Sequence, residues 1–405
     1  MKHIRILSVV ASALLAAACK NDDTDLYAYI SSLEARQQQA DTIAMKTIAT
    51  DFSDLDETET IPTDEADTWY NDYVENATFD YTVYISYNGT SAVLSGDADQ
   101  VAAIVSGAHV TVTSTQKNVT YVLSGSSTDG SFKIYSDHKF QLRLAGVSLV
   151  NPEGAAVNSQ CGKTMYLVLA DSTANSLSDG TSYAMTPGED MKGALFSEGQ
   201  IIFSGRGTLS VSGSYRNAIA SDDYIRFRAG SKVYAQCSAS HGVKANDGIF
   251  IGGGVLNIEV SGDAAKGLNS EQDIVVSGGR TTVITTGATR VEAADTSSCA
   301  AVKCDSTFTL SGGTLNLLSS GEGGKGINVN GSVAILGGEL NIVTTGSKVN
   351  ASPKGIKCDG SIAISGGYTY IYTVEGKQLD AGTTLTIADG YSDYRTSSHA
   401  VVVSY

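Results

Sequence analysis

The chain has 405 residues and is acidic, since 43 aspartates and glutamates against 27 lysines and arginines give a net charge of −16. With four prolines and one tryptophan in that length, the composition does not indicate a second globular domain. Nucleic-acid-binding surfaces are basic, so we expect no nucleic-acid partner.

Residues 1–18 have the pattern of a signal peptide. A basic start precedes an apolar run over 6–15 that is too short to span a bilayer. Small residues and then Cys19 follow this run. The whole pattern resembles a bacterial lipoprotein signal. The next residues, 20–23, resemble an acidic tag for surface export. These resemblances imply lipidation of Cys19 and a lipid-anchored protein of the bacterial outer membrane, exposed at the cell surface. The alternative is an ordinary secreted protein.

Residues 19–80 differ in character from the rest of the chain. Between 20 and 80 there are 16 acidic residues and three basic ones. Leu26–Thr47 is compatible with one helix, whereas 51–67 has the composition of a solvated, disordered spacer. We therefore predict an acidic, partly disordered tether that holds the folded part away from the membrane.

From residue 81 the sequence alternates between apolar and polar residues, as β-strands do. The first runs, such as Tyr81–Tyr87, Phe140–Leu144 and Met165–Leu169, are irregular and predict an N-terminal cap and the first coils. The run over 400–404 is predicted to close the other end.

Between 193 and 376 one pattern recurs seven times, at intervals of 24 to 34 residues. Each unit has an opening of six residues, a short alternating run, in most units a glycine pair, and a second run. The openings start at Gly193, Asn217, His241, Lys266, Ala300, Lys325 and Lys354. The glycine pairs stand at 253–254, 278–279, 312–313, 337–338 and 366–367. Such repeats indicate stacked coils, with the glycines at tight corners.

A unit of this length holds three short strands but no helical crossover, so each strand must pair with its counterpart in the next coil. The sequence therefore predicts an all-β, single-stranded parallel β-helix over 81–405, with about ten coils roughly 4.8 Å apart. The two longer units carry insertions at 287–299 and 346–353, which should loop out.

Alternation sends the third and fifth residues of each opening inward, and the fourth and sixth outward. The outward fourth column is Phe196, Ala220, Lys244, Asn269, Lys303, Asn328 and Lys357, and the sixth is Glu198, Asp222, Asn246, Glu271, Asp305, Asn330 and Asp359. The first column adds His241, Lys266, Lys325 and Lys354. One face should thus carry carboxylates and amides beside lysines.

Three interpretations of that face remain open. The polar residues form turns and bond along the stack, or they bind calcium, or they bind polysaccharide. The densest group of oxygen ligands for calcium is Asp222, Asp223, Asn246, Asp247, Asp263 and Glu271. The candidates for glycan contact are Lys244, Lys303, Lys357 and Tyr224, although a tyrosine in a strand also packs in ordinary ways.

The cysteines other than Cys19 are predicted to fill the core. Cys304 and Cys358 share a column two coils apart, about 9.6 Å, which is too far for a disulfide bond. No cysteine or histidine spacing typical of a zinc or redox site is present.

Five further stretches are distinctive: TYVLSG at 120–125, the run over 142–150, LVLADSTANSLSDG at 167–180, the run over 196–207, and AIASDDYIRF at 218–227. Together they resemble the bacterial calcium-binding, carbohydrate-binding domain family. The likeness covers about 110–376. It implies a right-handed parallel β-helix similar to pectate-lyase-type polysaccharide lyases, and binding of cellulose or polygalacturonate. Many relatives have aspartate in the first column, where this chain has other residues.

The leading hypothesis is a surface lipoprotein that binds plant cell-wall or acidic polysaccharide with the help of Ca²⁺. The first alternative is a calcium-dependent, pectate-type polysaccharide lyase, for which Lys244 is the candidate base. The second is a structural adhesin or stalk without glycan specificity. The sequence favours binding over catalysis.

Overall fold

The repeats form a parallel β-helix, which confirms the predicted fold. A computed structural model describes residues 53–55, 57–293, 295–388, 394–398 and 401–404, the last two ranges by their backbone alone. Strands of successive coils pair in parallel along three faces, which we call faces 1, 2 and 3. Within the described ranges the helices are three short 3₁₀ turns, at Tyr70–Asp72, Val74–Asn76 and Ala98–Gln100.

Face 1 contains the repeat openings. Its strands are Ala102–Ser106, Ala108–Ser114, Gly130–Ser136, Val157–Ser159, Gly193–Ser197, Asn217–Ser221, Val243–Ala245, Lys266–Ser270, Ala300–Cys304, Lys325–Val329, Lys354–Cys358 and Lys377–Ala381. Only the first two of these twelve pair antiparallel, so eleven coils stack in parallel through this face.

Faces 2 and 3 are formed by the two runs on either side of each glycine corner. The long strands Tyr81–Asn88, Val119–Ser127 and Phe140–Asn151 extend across both faces in the first coils. Face 2 continues with Met165–Leu169, Ile201–Gly205, Tyr224–Phe227, Gly248–Ile251, Ile274–Val276, Phe308–Leu310, Val333–Ile335, Ile362–Ile364 and Leu385–Ile387. Face 3 continues with Ala174–Asp179, Thr208–Gly213, Lys232–Cys237, Val255–Val260, Arg280–Thr285, Thr314–Ser319, Glu339–Thr344, Tyr368–Thr373 and Tyr394–Ser398.

Antiparallel strands lie at both ends of the stack. At the N-terminal end Ser91–Gly96 pairs with Tyr81–Asn88, and at the C-terminal end Val401–Ser404 pairs with Tyr394–Ser398. These pairings cover the edges of the terminal coils, which could otherwise pair with a strand of another chain. The first and last alternating runs therefore occupy the positions predicted for them.

The glycine pairs lie at tight corners, as predicted, and the two glycines of a pair meet different structural requirements. The second glycine has a positive φ, for example +75° at Gly279 and +78° at Gly338. The first faces the preceding coil closely, and a Cβ at Gly278 would overlap the carbonyl oxygen of Gly252. Only glycine satisfies both requirements, which explains why the pair recurs.

The interior of the stack is mainly apolar, with buried serines and threonines such as Ser270 and Thr344 at some inward positions. The inward third and fifth positions of the openings, such as Leu268 and Val302, are fully buried. Cys304 and Cys358 lie in one column with Val329 between them, and all five described cysteines are free and buried. This confirms that they are core residues without disulfide bonds.

The first predicted insertion forms a hairpin. Arg290–Glu292 pairs antiparallel with Asp295–Ser297 and projects from the corner that precedes face 1. In the second insertion, the carboxylate of Glu322 accepts hydrogen bonds of 2.7 and 2.9 Å from the amides of Asn350 and Ala351.

Residues 53–55 and 57–79 form a strap that lies against the outside of the solenoid. From its N-terminal to its C-terminal end, the strap passes from later coils of the solenoid to earlier ones. Ser53 bonds to Arg280, Glu57 accepts a 2.7 Å bond from the amide of Gly254, and the carbonyl of Asn71 bonds to Tyr166. The strap therefore passes back over successive coils before the first strand begins at Tyr81.

Two arginines of face 2 hold the strap. Arg226 pairs with Asp72 at 3.1 Å, and both side chains are almost fully buried. Arg228 binds Glu59 at 3.0 Å and Glu75 at 2.9 Å. The arginines also stack on strap aromatics. These are charge-assisted hydrogen bonds, and the two guanidinium groups that donate them are almost fully buried, which strengthens them.

The predicted spacer over 51–67 thus differs from the structure where the structure describes it. Its acids do not all face solvent, because residues such as Glu59 find arginine partners on the solenoid. The signal peptide, Cys19 and the rest of the predicted tether before residue 53 lie outside the described residues and remain predictions. Among the residues described, no helix is long and apolar enough to cross a bilayer.

Candidate functional site

Face 1 presents the polar columns that the sequence predicts. In the fourth column Lys244, Asn269, Lys303, Asn328 and Lys357 are in register across consecutive coils. Their side chains are partly exposed, whereas the neighbouring third and fifth positions are buried. Lysine and asparagine therefore alternate along the stack, with a lysine at every second coil.

Phe196 and Ala220, in the same column, are buried instead. The chain over 180–192 lies near this part of face 1, where Glu189 binds Lys133 and Lys192 bonds to Asp222. The exposed part of the column therefore begins at Lys244.

The sixth column supplies partners for these lysines. Lys244 pairs with Glu271 of the next coil at 3.0 Å, and Lys357 lies 3.4 Å from Asp359. Lys303 binds Asp305 of its own coil and, at 2.8 Å, the amide oxygen of Asn330. The acids of all these pairs are largely exposed, so the pairs contribute little to stability and can exchange partners with a ligand.

A groove runs between face 1 and the hairpin at Arg290–Ser297. It has a volume of about 490 Å³. Its lining is polar and includes His241, Asp263, Lys266, Asn269, Glu271, Arg290, Lys303 and Asp305. Cations and carboxylates on both walls give hydrogen-bonding groups for a hydroxyl-rich ligand.

Lys266 at the base of the groove was not singled out as a functional residue from the sequence. Burial lowers the pKa of its ammonium group to about 8. It has no carboxylate partner among the described residues, and its Nζ donates to the carbonyls of Ala264 at 2.5 Å and Ser298 at 2.7 Å. Lys325, two coils further on, is similar, and burial lowers its pKa to about 8. Its Nζ binds the hydroxyl of Ser298.

His241 lies beside Lys266 and is neutral. Burial, aided by the nearby charge of Lys266, lowers the pKa of its imidazole to about 3. Its Nδ1 accepts a 3.0 Å hydrogen bond from the amide of Lys266, so Nε2 carries the proton. The sequence placed both residues in the first column. The burial of Lys266, whose amine bonds to Ser297 and Ser298 at the end of the hairpin, could not be deduced from the repeat.

The six predicted calcium ligands are separated by the structure into distinct places. Asp222 bonds to Lys192 at 2.6 Å and to the amide of Asn246 at 3.3 Å. Glu271 pairs with Lys244, and Asp263 lies on the groove, accepting a bond from the amide of Ala288.

Asp223 and Asp247 are the pair whose chemistry fits a hard cation best. Burial, and the negative charge of Asp247, raise the pKa of Asp223. A cation would relieve that repulsion. Against this, Gln200 and the amide of Tyr224 already bind the carboxylate of Asp223. Among the described residues no group of three or more His, Cys, Asp or Glu side chains has the arrangement of a metal site. Calcium binding therefore stays a prediction.

Tyr224 lies outside face 1. It begins a strand of face 2, and its hydroxyl donates a 2.5 Å hydrogen bond to Asp72 of the strap. Its ring packs against Trp69 and Phe250. The strap covers this side chain, so of the predicted glycan contacts only Lys244, Lys303 and Lys357 share the exposed column.

Comparison with known proteins found a similar sequence, a similar solved structure and a matching family model. A curated relative from Acetivibrio thermocellus, described as a carbohydrate-binding domain-containing protein, is 27% identical over 115 residues. The match covers 27% of this chain and 40% of the relative, so the chain spans less than half of that protein.

Among solved structures, a gadolinium derivative of the polysaccharide lyase-like protein from C. thermocellum is similar to this chain. It has a TM-score of 0.45 and 19% identity, over 76% of this chain and 98% of that protein. The model of one protein family, carbohydrate-binding domain-containing protein, matches residues 106–400. That match spans most of the chain, which therefore belongs to the family of carbohydrate-binding domain-containing proteins.

Proposed function

We propose that the protein binds a polysaccharide along face 1, and that the groove beside the hairpin is part of the binding surface. The observation that carries this proposal is the exposed column of Lys244, Lys303 and Lys357 next to that groove. The family membership supports the same ligand class.

The spacing of the lysines suits a chain that lies parallel to the solenoid axis. Two coils separate successive lysines, a distance of about 9.6 Å. This is comparable to the repeat of two sugar residues in an extended glycan. Ammonium groups at that interval would meet carboxylates or hydroxyls of alternate sugars, and the asparagines between them would bond to the intervening hydroxyls.

We further propose that the glycan is acidic or comes from the plant cell wall, and that Ca²⁺ assists its binding. Asp223 and Asp247, with Asp222 and Asn246 nearby, would hold the ion. Calcium accepts six or more oxygen ligands, so a bound ion retains positions for water or for sugar carboxylates.

The proposed location is the outer surface of a bacterial outer membrane, with the chain anchored at Cys19. Its support is the lipoprotein-like pattern of residues 1–19. Mild protease treatment of whole cells should release a soluble fragment that retains the strap and residues 81–405. Recovery of the protein only after rupture of the outer membrane would contradict the surface location.

A second candidate function is a polysaccharide lyase, and one observation favours it. Such an enzyme needs a base that is partly neutral near physiological pH, and the pKa of Lys266 is lowered to about 8 by burial beside the groove. This replaces Lys244, which pairs with Glu271, as the candidate base. In the structure the Lys266 amine is held by two carbonyls, so it would have to move to reach a substrate.

A glycan screen with and without chelator tests these functions together. We expect binding by the unmodified protein and at least tenfold weaker binding when Lys244, Lys303 and Lys357 are all replaced by alanine. Lys117→Ala, which alters an exposed lysine near the N-terminal end, is the matched control.

Unsaturated sugar products, detected by ultraviolet absorbance and lost in Lys266→Met, would establish the lyase. Failure to bind any glycan would favour the structural adhesin. Binding that the triple variant retains would move the site away from face 1.

A further inference from the structure

Face 3 carries side chains that point away from the core and are nevertheless buried. In the strands from Val255 to Thr373, alternation directs residues such as Thr282, Leu318 and Val343 outward. Their exposed fractions are 1%, 7% and 1%. Asn257, Asn341 and Tyr370, which also point outward, are buried as well.

These residues are not part of the central core. The core cluster contains their inward neighbours, such as Leu317 and Ile342, but neither Leu318 nor Val343. On face 2 the corresponding outward residues, Thr309 and Ala334, are only half-buried although they are smaller. Burial on face 3 therefore comes from outside the coil.

The sequence of face 3 changes character one coil after this burial begins at Asn257. One outward column reads Ser178, Ser212, Gln236 and Glu259 in the earlier coils, then Ile284, Leu318, Val343 and Tyr372 in the later ones. Four apolar or aromatic residues on consecutive coils form a stripe about 14 Å long. A stripe of this kind on a solvent face is typical of a docking surface.

We propose that the segment Leu26–Thr47 of the same chain docks on this stripe as an amphipathic helix. Leu26, Ile30 and Leu33 have the i, i+4, i+7 spacing that places them on one side of a helix. Ten helical residues extend about 15 Å, which matches the length of the stripe.

The N-terminal end of the strap lies on face 3, close to the stripe. At its N-terminal end Ser53 bonds to Arg280 at 2.8 Å, and Asp54 pairs with Lys232. Both partners lie in the outward column of face 3 beside the glycine corners. The five residues between Thr47 and Ser53 can extend about 20 Å, which is enough to reach every coil of the stripe.

Two consequences follow for the proposed function. With face 3 closed by the segment and face 2 partly covered by the strap, face 1 is the face left for a polysaccharide. If Cys19 is lipidated, only residues 20–25 would remain as a free tether, which spans about 20 Å at most. The solenoid would then lie close to the membrane with face 3 towards it.

Thiol labelling tests the docking in the mature chain, with Cys19→Ser to remove its thiol. Val343→Cys on face 3 should react with a maleimide at least tenfold more slowly than Ala334→Cys on face 2 of the same coil. Replacing Leu26, Ile30 and Leu33 by aspartate should bring the two rates together. The control places aspartate at Ala28, Ser31 and Ala35, on the opposite side of the predicted helix, and should leave Val343→Cys protected.

Equal labelling of Val343→Cys and Ala334→Cys in the otherwise unmodified chain would overturn the proposal, because face 3 would then be open. Protection that survives the three aspartates at Leu26, Ile30 and Leu33 would also overturn it. In that case a dilution series would identify what covers face 3. Protection by a second copy of the protein is lost at low concentration, whereas protection by another segment of the same chain is not. Neither result bears on glycan binding by face 1, which is measured separately.

Discussion

Arg226 and Asp72 form a buried ion pair between positions 154 residues apart in the chain. The Asp72 carboxylate also accepts the hydroxyl of Tyr224, so three groups from the strap and face 2 satisfy one another away from water. Burial raises the pKa of Asp72 in spite of the nearby arginine, which shows that desolvation of this carboxylate is substantial. The strap is therefore part of the folded unit and not an independent tether.

Asp72→Ala should destabilise the protein by about 3–5 kcal/mol, because it leaves the Arg226 guanidinium buried without a counter-charge. Urea unfolding followed by tryptophan fluorescence measures this, since Trp69 stacks on Arg226. Asp359→Ala removes an exposed partner of Lys357 and should cost no more than about 1 kcal/mol. Equal effects of the two substitutions would mean that the buried Arg226–Asp72 pair stabilises the fold no more than an exposed ion pair does.

The sequence predicts contacts between neighbouring repeats better than contacts between residues that are far apart in the chain. The columns of face 1 and the glycine corners follow from the repeat itself, since each coil faces a near copy of itself. The strap could not be deduced, because the composition of 51–67 gives no sign that Glu59 meets Arg228. Lys266 was assigned to the correct column, but its burial depends on the hairpin, which interrupts the repeat.

Glu322 should make the 346–353 insertion sensitive to acid. Although partial burial acts in the opposite direction, hydrogen bonds from Thr289 and the amides of 349–351 lower the pKa of this carboxyl to about 2. A lowered folded-state pKa stabilises the fold above the ordinary value of 4.5, and the stabilisation is lost as the pH falls towards 2.

Hydrogen exchange measures this effect at the amides of Asn350 and Ala351. Their protection should fall between about pH 4.5 and 2, and Glu322→Gln should lose much of it at neutral pH. The amide of Ser365, bonded to the carbonyl of Ile335 within the stack, is the internal control and should stay protected. Protection that is the same at every pH would show that Glu322 does not hold the insertion.

Lys266 should make stability depend on pH in alkaline solution, with the same sign as Glu322 but for a different reason, because here folding disfavours the charged form. Burial lowers its pKa to about 8 from 10.5, so the unfolded chain binds more protons than the folded one between these values. Stability attributable to this group therefore rises with pH from about 8 to 10.5. Since other groups titrate in that range, the measurement is the difference in urea midpoint between the unmodified protein and Lys266→Met. A difference that does not change with pH would contradict the burial of the charged amine.

The cysteines should remain unreactive until the solenoid unfolds. Burial raises the pKa of the Cys304 thiol to about 12 and also raises that of Cys358. Because the thiolate is the reactive form, iodoacetamide at pH 8 should label neither residue in the native protein and both in urea. Cys304→Ala and Cys358→Ala should each cost about 1 kcal/mol, as small core truncations do. A loss of stability in reducing agent would reveal a disulfide bond and refute this assignment.

Calcium is the sharpest test of whether the acids near residue 223 are functional. Burial, and to a lesser degree the negative charge of Asp247, raise the pKa of Asp223, and a bound Ca²⁺ would offset both the loss of hydration and the repulsion between the two carboxylates. An ion that binds only the folded state stabilises it by about 2.7 kcal/mol at a hundredfold excess over its dissociation constant. Calcium should thus raise the melting temperature, and magnesium should raise it less because it releases its waters reluctantly.

The bonds that these acids make in the structure predict how each alanine variant should respond to calcium. Asp223→Ala combined with Asp247→Ala should abolish the shift, whereas Asp359→Ala, at the far end of face 1, should leave it unchanged. Asp222→Ala should reduce the shift less, because Lys192 already neutralises this carboxylate at 2.6 Å. If the unmodified protein melts identically in chelator and in excess calcium, the acids at 222–223 and 247 serve the turns and bind no ion. Glycan binding on face 1 would then depend on the lysine column alone.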